Sequence, residues 1–382
     1  MRAALNDLKV DGWLLFDFRS CNPVAQRLVG VSGLATRRMF VWLPKDGDPV
    51  ALAHRIELQG FEGFPGRVIA YGAWRELHDG LRSLIGGKTV AMETFPKDGV
   101  PYLDRIPAGV VQLVESFGAK IAGSGPLVTR FAATWTPSEL DGHRRAAKAL
   151  AQIAQDALRW AGAEVARGAE VREVALQQRV LDAITKAGFV TNEPPIAAFQ
   201  QNAALPHYEP RPGSDRRLAA GEVLLLDLWA GPTLGTPFAD QTWMAFAGRN
   251  PDAEVRKVWD AVRGARDAAV ALLKERWSAK RKVTGAEVDD AARAVIKGAG
   301  YGEFFVHRTG HSIDKDLHGS GPHIDNYETN DDRELVTGIG FSIEPGIYMR
   351  GRFGMRSEIN VYMSKEGPEV TPAEYQRDLL LV

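Results

Sequence analysis

The sequence predicts an α/β chain, α+β in its later part, built as two domains. Three observations lead there. At 382 residues the chain is long for one hydrophobic core. Its first third alternates short apolar runs with helical patches, and this pattern weakens across GSGPLVTR, 123–130. The remainder opens on a long Ala-rich helical stretch and closes in strands. The boundary is placed near residue 130, giving domains 1–130 and 131–382.

Residues 12–18 (GWLLFDF), 39–43 (MFVWL) and 50–53 (VALA) read as short buried strands. The Gly, Pro and Asp of PKDGDP, 44–49, mark the turn between the last two. The α/β alternation runs to about residue 122. At TPSEL, Thr136 caps a helix, Pro137 suits its first position and Glu139 completes a capping box. That helix runs to about Gly168, and 171–187 read as another. EVLLLDLW, 222–229, is a strand apolar enough to be buried on both faces. FADQTWMAFAG, 238–248, follows as its neighbour. A helix starts at Asn250-Pro251, with Val255, Val258, Trp259 and Val262 at helical spacing. Thr284 and Glu287 form a second capping box. FSIEPGIYM, 341–349, and GMRSEINVYMS, 354–364, read as two late strands.

Composition excludes several classes. Lys plus Arg is 47 and Asp plus Glu 48, so no net charge draws the chain to nucleic acid or a membrane surface. The single cysteine, Cys21, rules out an intrachain disulfide and is expected to be a small buried group. The first residues are too charged for a signal peptide, and no apolar run approaches a membrane span of about 18 residues. A cytoplasmic location is expected.

Chemistry concentrates in the second domain. Asp227 interrupts an apolar strand, where a carboxylate is costly unless paired or bound to a cation. Asp240 lies on the next strand and shares a face with Thr242. Glu344 precedes Pro345-Gly346, and Glu358 shares a face with Arg356 and Asn360. Four converging carboxylates repel one another unless a cation joins them; one or two divalent metals would do so. Between the second and third acid lies HRTGHSIDKDLHGSGPH, which holds His307, His311, His318 and His323.

Asp, Asp, His, Glu, Glu in this order and context resembles the metallopeptidases of the pita-bread fold, prolidase in particular. The resemblance covers about 137–382 and rests on NAALPHYEP, LLLDLWA with FADQTW, HRTGH, FSIEPGIY and GMRSEI. CNPVAQRLVGVSGLATRRMFVWLP, 21–44, is similar to the creatinase/prolidase N-terminal domain. The resemblance implies a small N-terminal α/β domain followed by a pita-bread catalytic domain. It implies five metal ligands, Asp227, Asp240, His311, Glu344 and Glu358, with Asp240 and Glu358 bridging two ions. Mn²⁺ suits such oxygen-rich ligands, with Co²⁺ or Zn²⁺ also possible. It further implies that Glu344 handles the proton, that His207 and His318 donate hydrogen bonds to substrate or oxyanion, and that His307 lines the pocket. Arg356 either supports the metal carboxylates or binds a substrate carboxylate. His323 takes no family role and is expected to be structural or exposed.

The chain also departs from the family. Between the two aspartates it carries LWAGPTLGTPFA, with Leu228 and Trp229 first, and lacks an expected tyrosine. The insert GSGPHIDN, 319–326, follows His318 and is expected to close the site to longer peptides. The implied function is hydrolysis of Xaa-Pro bonds in dipeptides by a homodimer, with an Xaa-Pro aminopeptidase on longer peptides as the alternative. A metal-free binding module of the same fold is a further alternative, disfavoured by five filled ligand positions. No nucleic-acid or membrane partner is expected.

Overall fold

The computed structural model describes residues 1–30 and 35–382. Residues 31–34, within the N-terminal run quoted above, lie outside them. The chain divides into two compact units, Met1–Ala132 and Ala133–Val382. No helix among the described residues is long and apolar enough to cross a membrane.

The first unit contains α1 (Arg2–Asp7), β1 (Gly12–Asp17), α2 (Pro23–Val29), β2 (Met39–Pro44), β3 (Val50–His54), β4 (Arg67–Tyr71), α3 (Trp74–Ile85), β5 (Thr89–Met92), α4 (Ala108–Ser116), β6 (Lys120–Gly123) and α5 (Gly125–Phe131). The six strands among its described residues form one mixed sheet in the order β4-β3-β2-β1-β5-β6. Period-two alternation makes β1 the centre of two cores. Trp13 and Leu15 pack with α1, α2 and α5, while Leu14 and Phe16 pack with α3 and α4.

Cys21 departs from expectation, because it is exposed. The neighbouring Asn22 takes the inward position, accepting from the Val24 and Ala25 backbone N–H groups at the start of α2. Its amide also donates to Glu93, a fully buried carboxylate that accepts from Trp13 and Ser124 as well.

The second unit contains α6 (Pro137–Ala166), α7 (Glu173–Lys186), β7 (Ile196–Phe199), β8 (Val223–Ala230), β9 (Ala239–Phe246), α8 (Ala253–Ser278), α9 (Gly285–Gly298), β10 (Ser312–Ile313), β11 (Gly340–Ile343), β12 (Gly346–Met349), β13 (Phe353–Arg356), β14 (Ile359–Ser364), β15 (Gly367–Thr371) and β16 (Leu380–Leu381). One sheet runs β16-β9-β8-β7, a second β10-β11-β14-β15, and β12-β13 form a two-stranded ribbon. On β8, Leu224, Leu226 and Leu228 pack with α6 and α7, and Val223 and Leu225 pack in the core shared with α8 and α9. Asp227 and Trp229 continue that second face.

Both capping boxes form, at Thr136/Glu139 and Thr284/Glu287. Three element boundaries differ from the sequence reading. Helix α8 starts at Ala253 because the Asp252 carboxylate accepts from the Val255 N–H and caps it there. FSIEPGIYM is not one strand but β11 and β12, parted at Glu344-Pro345, where proline has no N–H to continue a ladder. GMRSEINVYMS is likewise β13 and β14, parted at Ser357-Glu358. In each case the chain leaves one sheet and enters another.

Candidate active site

The antiparallel register of β8 and β9 sets Asp227 opposite Thr242 and Trp229 opposite Asp240. Both aspartates therefore face one side of the sheet. Ile343 pairs with Ile359, and Gly346 pairs with Arg356. The two strand breaks consequently face each other and hold Glu344 and Glu358. His311 arrives on the segment that enters β10, tied to β11 by its N–H to Ser342 Oγ (2.9 Å). Gly310 is required there, because a Cβ would lie 2.0 Å from the Ser342 carbonyl oxygen. Helix α9 anchors the same segment. The buried Asp289 carboxylate accepts from Thr309, and Arg293, one turn later, donates to the His307 carbonyl.

Asp240, His311 and Glu358 offer ligand atoms that all lie within 4.8 Å of one another. His311 Nε2 stands 3.3 Å from Asp240 Oδ2 and 3.4 Å from Glu344 Oε1. The other ring nitrogen, Nδ1, lies 3.2 Å from the Ser312 carbonyl and donates to it. That bond fixes the tautomer and turns the Nε2 lone pair toward the acids. Asp227 accepts from Arg356 Nη2 at 2.5 Å. Arg356 Nε donates to Thr242 Oγ1, which donates in turn to Glu358 Oε2, each at 2.8 Å. Asn360 secures the Asp240 backbone by exchanging two hydrogen bonds of 2.9 Å with it.

Two oxygens of this cluster, Asp227 Oδ1 and Glu358 Oε1, are buried and meet no hydrogen-bond donor among the described residues. Buried acceptors normally find one. Burial and mutual repulsion raise the carboxyl pKa values. Asp240 and Glu358 lie well above the usual range, through burial first and then the neighbouring acids. Burial pushes Glu344 up to about 7, although Arg356 opposes it. Burial raises Asp227 against the pull of Arg356. His311 is held well below its ordinary value by burial and by His318. A neutral imidazole, clustered carboxylates and unsatisfied oxygens form a donor set that fits divalent cations.

The cluster lies in a cavity of about 930 Å³, which His207, His307 and His318 also line. Solvent reaches His207 and His318. The His318 ring packs against His311 with centroids 4.1 Å apart. Its surrounding walls and then Arg308 lower its pKa to about 4, so it is neutral near pH 7. Both nitrogens of His307 are already engaged. Nδ1 donates to the Arg308 carbonyl (2.6 Å) and Nε2 accepts from the Tyr348 hydroxyl (2.8 Å). Burial, with Arg356 next, lowers its pKa to about 3, consistent with this neutral tautomer. Arg356, 3% exposed, directs its donors to Asp227, Thr242, Tyr348 and the Pro206 carbonyl, which supports the carboxylate cluster.

The insert 319–326 does not close this cavity, because none of its residues lines it. Gly319–Asp325 are buried, and Arg333 donates to the Ser320 and Gly321 carbonyls. His323 is buried too, its Nδ1 accepting from the Ser312 N–H. It braces the strand that follows His311. Sequence reasoning did not single out Tyr348, Ser342 or Asp289. Tyr348 stood inside a quoted motif, FSIEPGIY, four residues after Glu344, and that spacing was the available signal.

The sequence profile of metallopeptidase family M24 matches residues 141–365. The chain belongs to metallopeptidase family M24. Similarity to known proteins extends beyond that region. The probable dipeptidase PepE of Mycobacterium tuberculosis is 29% identical over 330 residues, which is 85% of this chain and 80% of the relative. The Xaa-Pro dipeptidase of Lactobacillus delbrueckii subsp. lactis is 34% identical over 235 residues, 61% of this chain and 58% of the relative. The crystal structure of dipeptidase PepE from Mycobacterium ulcerans superposes with a TM-score of 0.74 at 24% identity, covering 100% of this chain and 95% of that one. This likeness shows a shared fold over both units: a pita-bread M24 domain preceded by a small α/β domain. The resemblance read from the sequence holds.

Proposed function

We propose that this M24 metallopeptidase hydrolyses Xaa-Pro bonds, dipeptides first, using two divalent metal ions held by Asp227, Asp240, His311, Glu344 and Glu358. One observation carries the reading. Buried Asp227, Asp240 and Glu358 and partly buried Glu344 gather in a cavity walled by three further histidines, with His311 Nε2 facing Asp240, Glu344 and Glu358. The Xaa-Pro dipeptidase among the relatives supports the substrate class. Mn²⁺ is the first choice of metal, with Co²⁺ or Zn²⁺ as alternatives. The reading includes residues 1–130 as a creatinase/prolidase-like domain, a homodimer and a cytoplasmic location, all implied by the resemblance.

When bound, the metals supply Lewis acidity and lower the pKa of water. The chain supplies the rest. Glu344 Oε1 accepts from Ser342 Oγ at 3.1 Å, which leaves Oε2 to take and return the proton. His207 and His318 donate to the scissile carbonyl as negative charge develops on its oxygen. Arg356 holds Asp227 in place and offsets its charge. His307, locked by Arg308 and Tyr348, fixes the shape of the wall.

The open volume favours a second reading, an Xaa-Pro aminopeptidase acting on longer peptides, since the insert leaves the cavity unobstructed. Hydrolysis of Ala-Pro and Ala-Pro-Ala by protein stripped with chelator and reloaded with Mn²⁺, Co²⁺ or Zn²⁺ tests both. Preference for Ala-Pro supports the dipeptidase, and preference for Ala-Pro-Ala supports the aminopeptidase. Cleavage of neither with any metal overturns the Xaa-Pro assignment.

A further inference from the structure

We infer that Trp229 sets the size of the side chain accepted on the N-terminal side of the scissile bond, an inference that rests on the peptidase reading above. Trp229 follows Asp227 by two residues on β8, so both side chains leave the same face of the strand. Its partner across the sheet is Asp240, and Ile196 is the partner of Asp227. The indole therefore lies in one surface with the carboxylates, at their edge. It lines the cavity, is only 8% exposed, and donates from Nε1 to Asn192 Oδ1 at 2.9 Å. Pro194, Pro195 and Ile196 extend the wall with further apolar surface.

Charge decides which end of a peptide lies there. The lining residues from 177 to 240 include Glu193 and Glu209 but no lysine or arginine. Outside the carboxylate cluster, the lining from 306 to 358 carries Arg308 and Arg350 against Glu328, a net positive charge, while Arg356 is paired with Asp227. A peptide with a cationic amino end and an anionic carboxyl end aligns accordingly, amino end toward β7 and β8. The residue packed on Trp229 is then the one before the scissile bond. A flat indole, anchored at Nε1 and packed on most sides, fits a short side chain and obstructs a long one.

Trp229→Ala and Trp229→Phe test this against wild type with Ala-Pro and Phe-Pro. Ala-Leu and Phe-Leu are included so that the result does not depend on proline. Titration calorimetry of the same dipeptides into metal-stripped protein gives a readout independent of turnover. Wild type is expected to favour Ala over Phe at the first position. Trp229→Ala raises the Phe-to-Ala ratio of kcat/KM, and of affinity, by about tenfold or more, the scale of one or more methylenes admitted to a pocket. Trp229→Phe moves it the same way by less. An unchanged ratio in a variant that melts like wild type overturns the inference, as does a shift confined to the second residue. If no dipeptide is cleaved, the peptidase reading fails on its own, and the calorimetric ratio still decides for or against Trp229. If Trp229→Ala does not fold, Trp229→Phe decides, and no shift there overturns it.

Discussion

Glu344 and Glu358 stand across from each other in one interruption of two paired strands. Before it Ile343 pairs with Ile359, and after it Gly346 pairs with Arg356. The Ser357 N–H donates to the Pro345 carbonyl across the gap, at 3.3 Å. Two residues of each strand leave the ladder together, and one of each pair is a glutamate turned toward Asp240 and His311. Such a close set of acids has opposing effects on stability and on cation binding.

Replacing one acid of the cluster separates those effects. Asp240→Asn removes a buried charge that Asp227 and Glu344 repel. The metal-stripped variant is expected to melt at a higher temperature than stripped wild type, while losing at least one equivalent of bound metal and about a hundredfold or more in activity. Melting curves and elemental analysis check the two halves. A lower melting temperature contradicts the repulsion.

Arg356 offsets Asp227 at the base of the cavity. Arg356→Met leaves a buried carboxylate without its partner and is expected to cost about 3 kcal/mol or more in the metal-free protein. Urea denaturation with and without Mn²⁺ measures it. Saturating metal is expected to restore part of the loss, because a cation replaces the missing charge.

Tyr348 connects His307 to Arg356 through one hydroxyl. Tyr348→Phe removes the donor to His307 Nε2 and frees that ring. The expected result is a fall of about 10- to 100-fold in kcat/KM with metal content unchanged, the range typical of outer partners of a metal site. Loss of metal in parallel would place Tyr348 among the residues that hold the cluster together.

Glu93 gives a pH dependence in the first unit. Burial pushes its carboxyl from 4.5 up to about 7, against donors from Trp13, Asn22 and Ser124. The folded chain therefore keeps a proton that the unfolded chain releases. Stability from this group is fully present below about pH 4.5 and is lost as pH rises to about 7, a difference of about 3 kcal/mol. Against Glu93→Gln, wild type is expected to lose most of that amount, about 2.5 kcal/mol, between pH 5 and 8 by urea denaturation. Mismatch of the amide adds only a constant offset, so a flat difference would show that Glu93 ionises normally.

Much of the fold and candidate site is legible in the sequence, for identifiable reasons. Capping boxes at Thr136 and Thr284 are local, and local chemistry reads directly. An aspartate inside VLLLDLW is conspicuous because burying it is costly. Period-two alternation was enough to put Thr242 beside Asp240 on the site face. Pro345-Gly346 marked a turn after Glu344, but the break at Ser357-Glu358 was not legible, and only pairing partners distant in the chain reveal the change of sheet at either. The burial of the insert depends on Arg333, which lies beyond it and reaches back to two carbonyls. Composition could not distinguish a polar loop folded inward from one at the cavity mouth. Cys21 misled for the opposite reason: cysteine's general tendency to be buried yielded to a helix cap one residue away.

The pair of hydrogen bonds between Asn360 and the Asp240 backbone joins β9 to β14 across 120 residues of chain. Contacts at such separation in the chain form more slowly than local helices and hairpins. During synthesis the aspartates emerge well before the residues that complete their surroundings. The candidate site is therefore complete only once the segment that carries Glu358 and β14 has closed on β9.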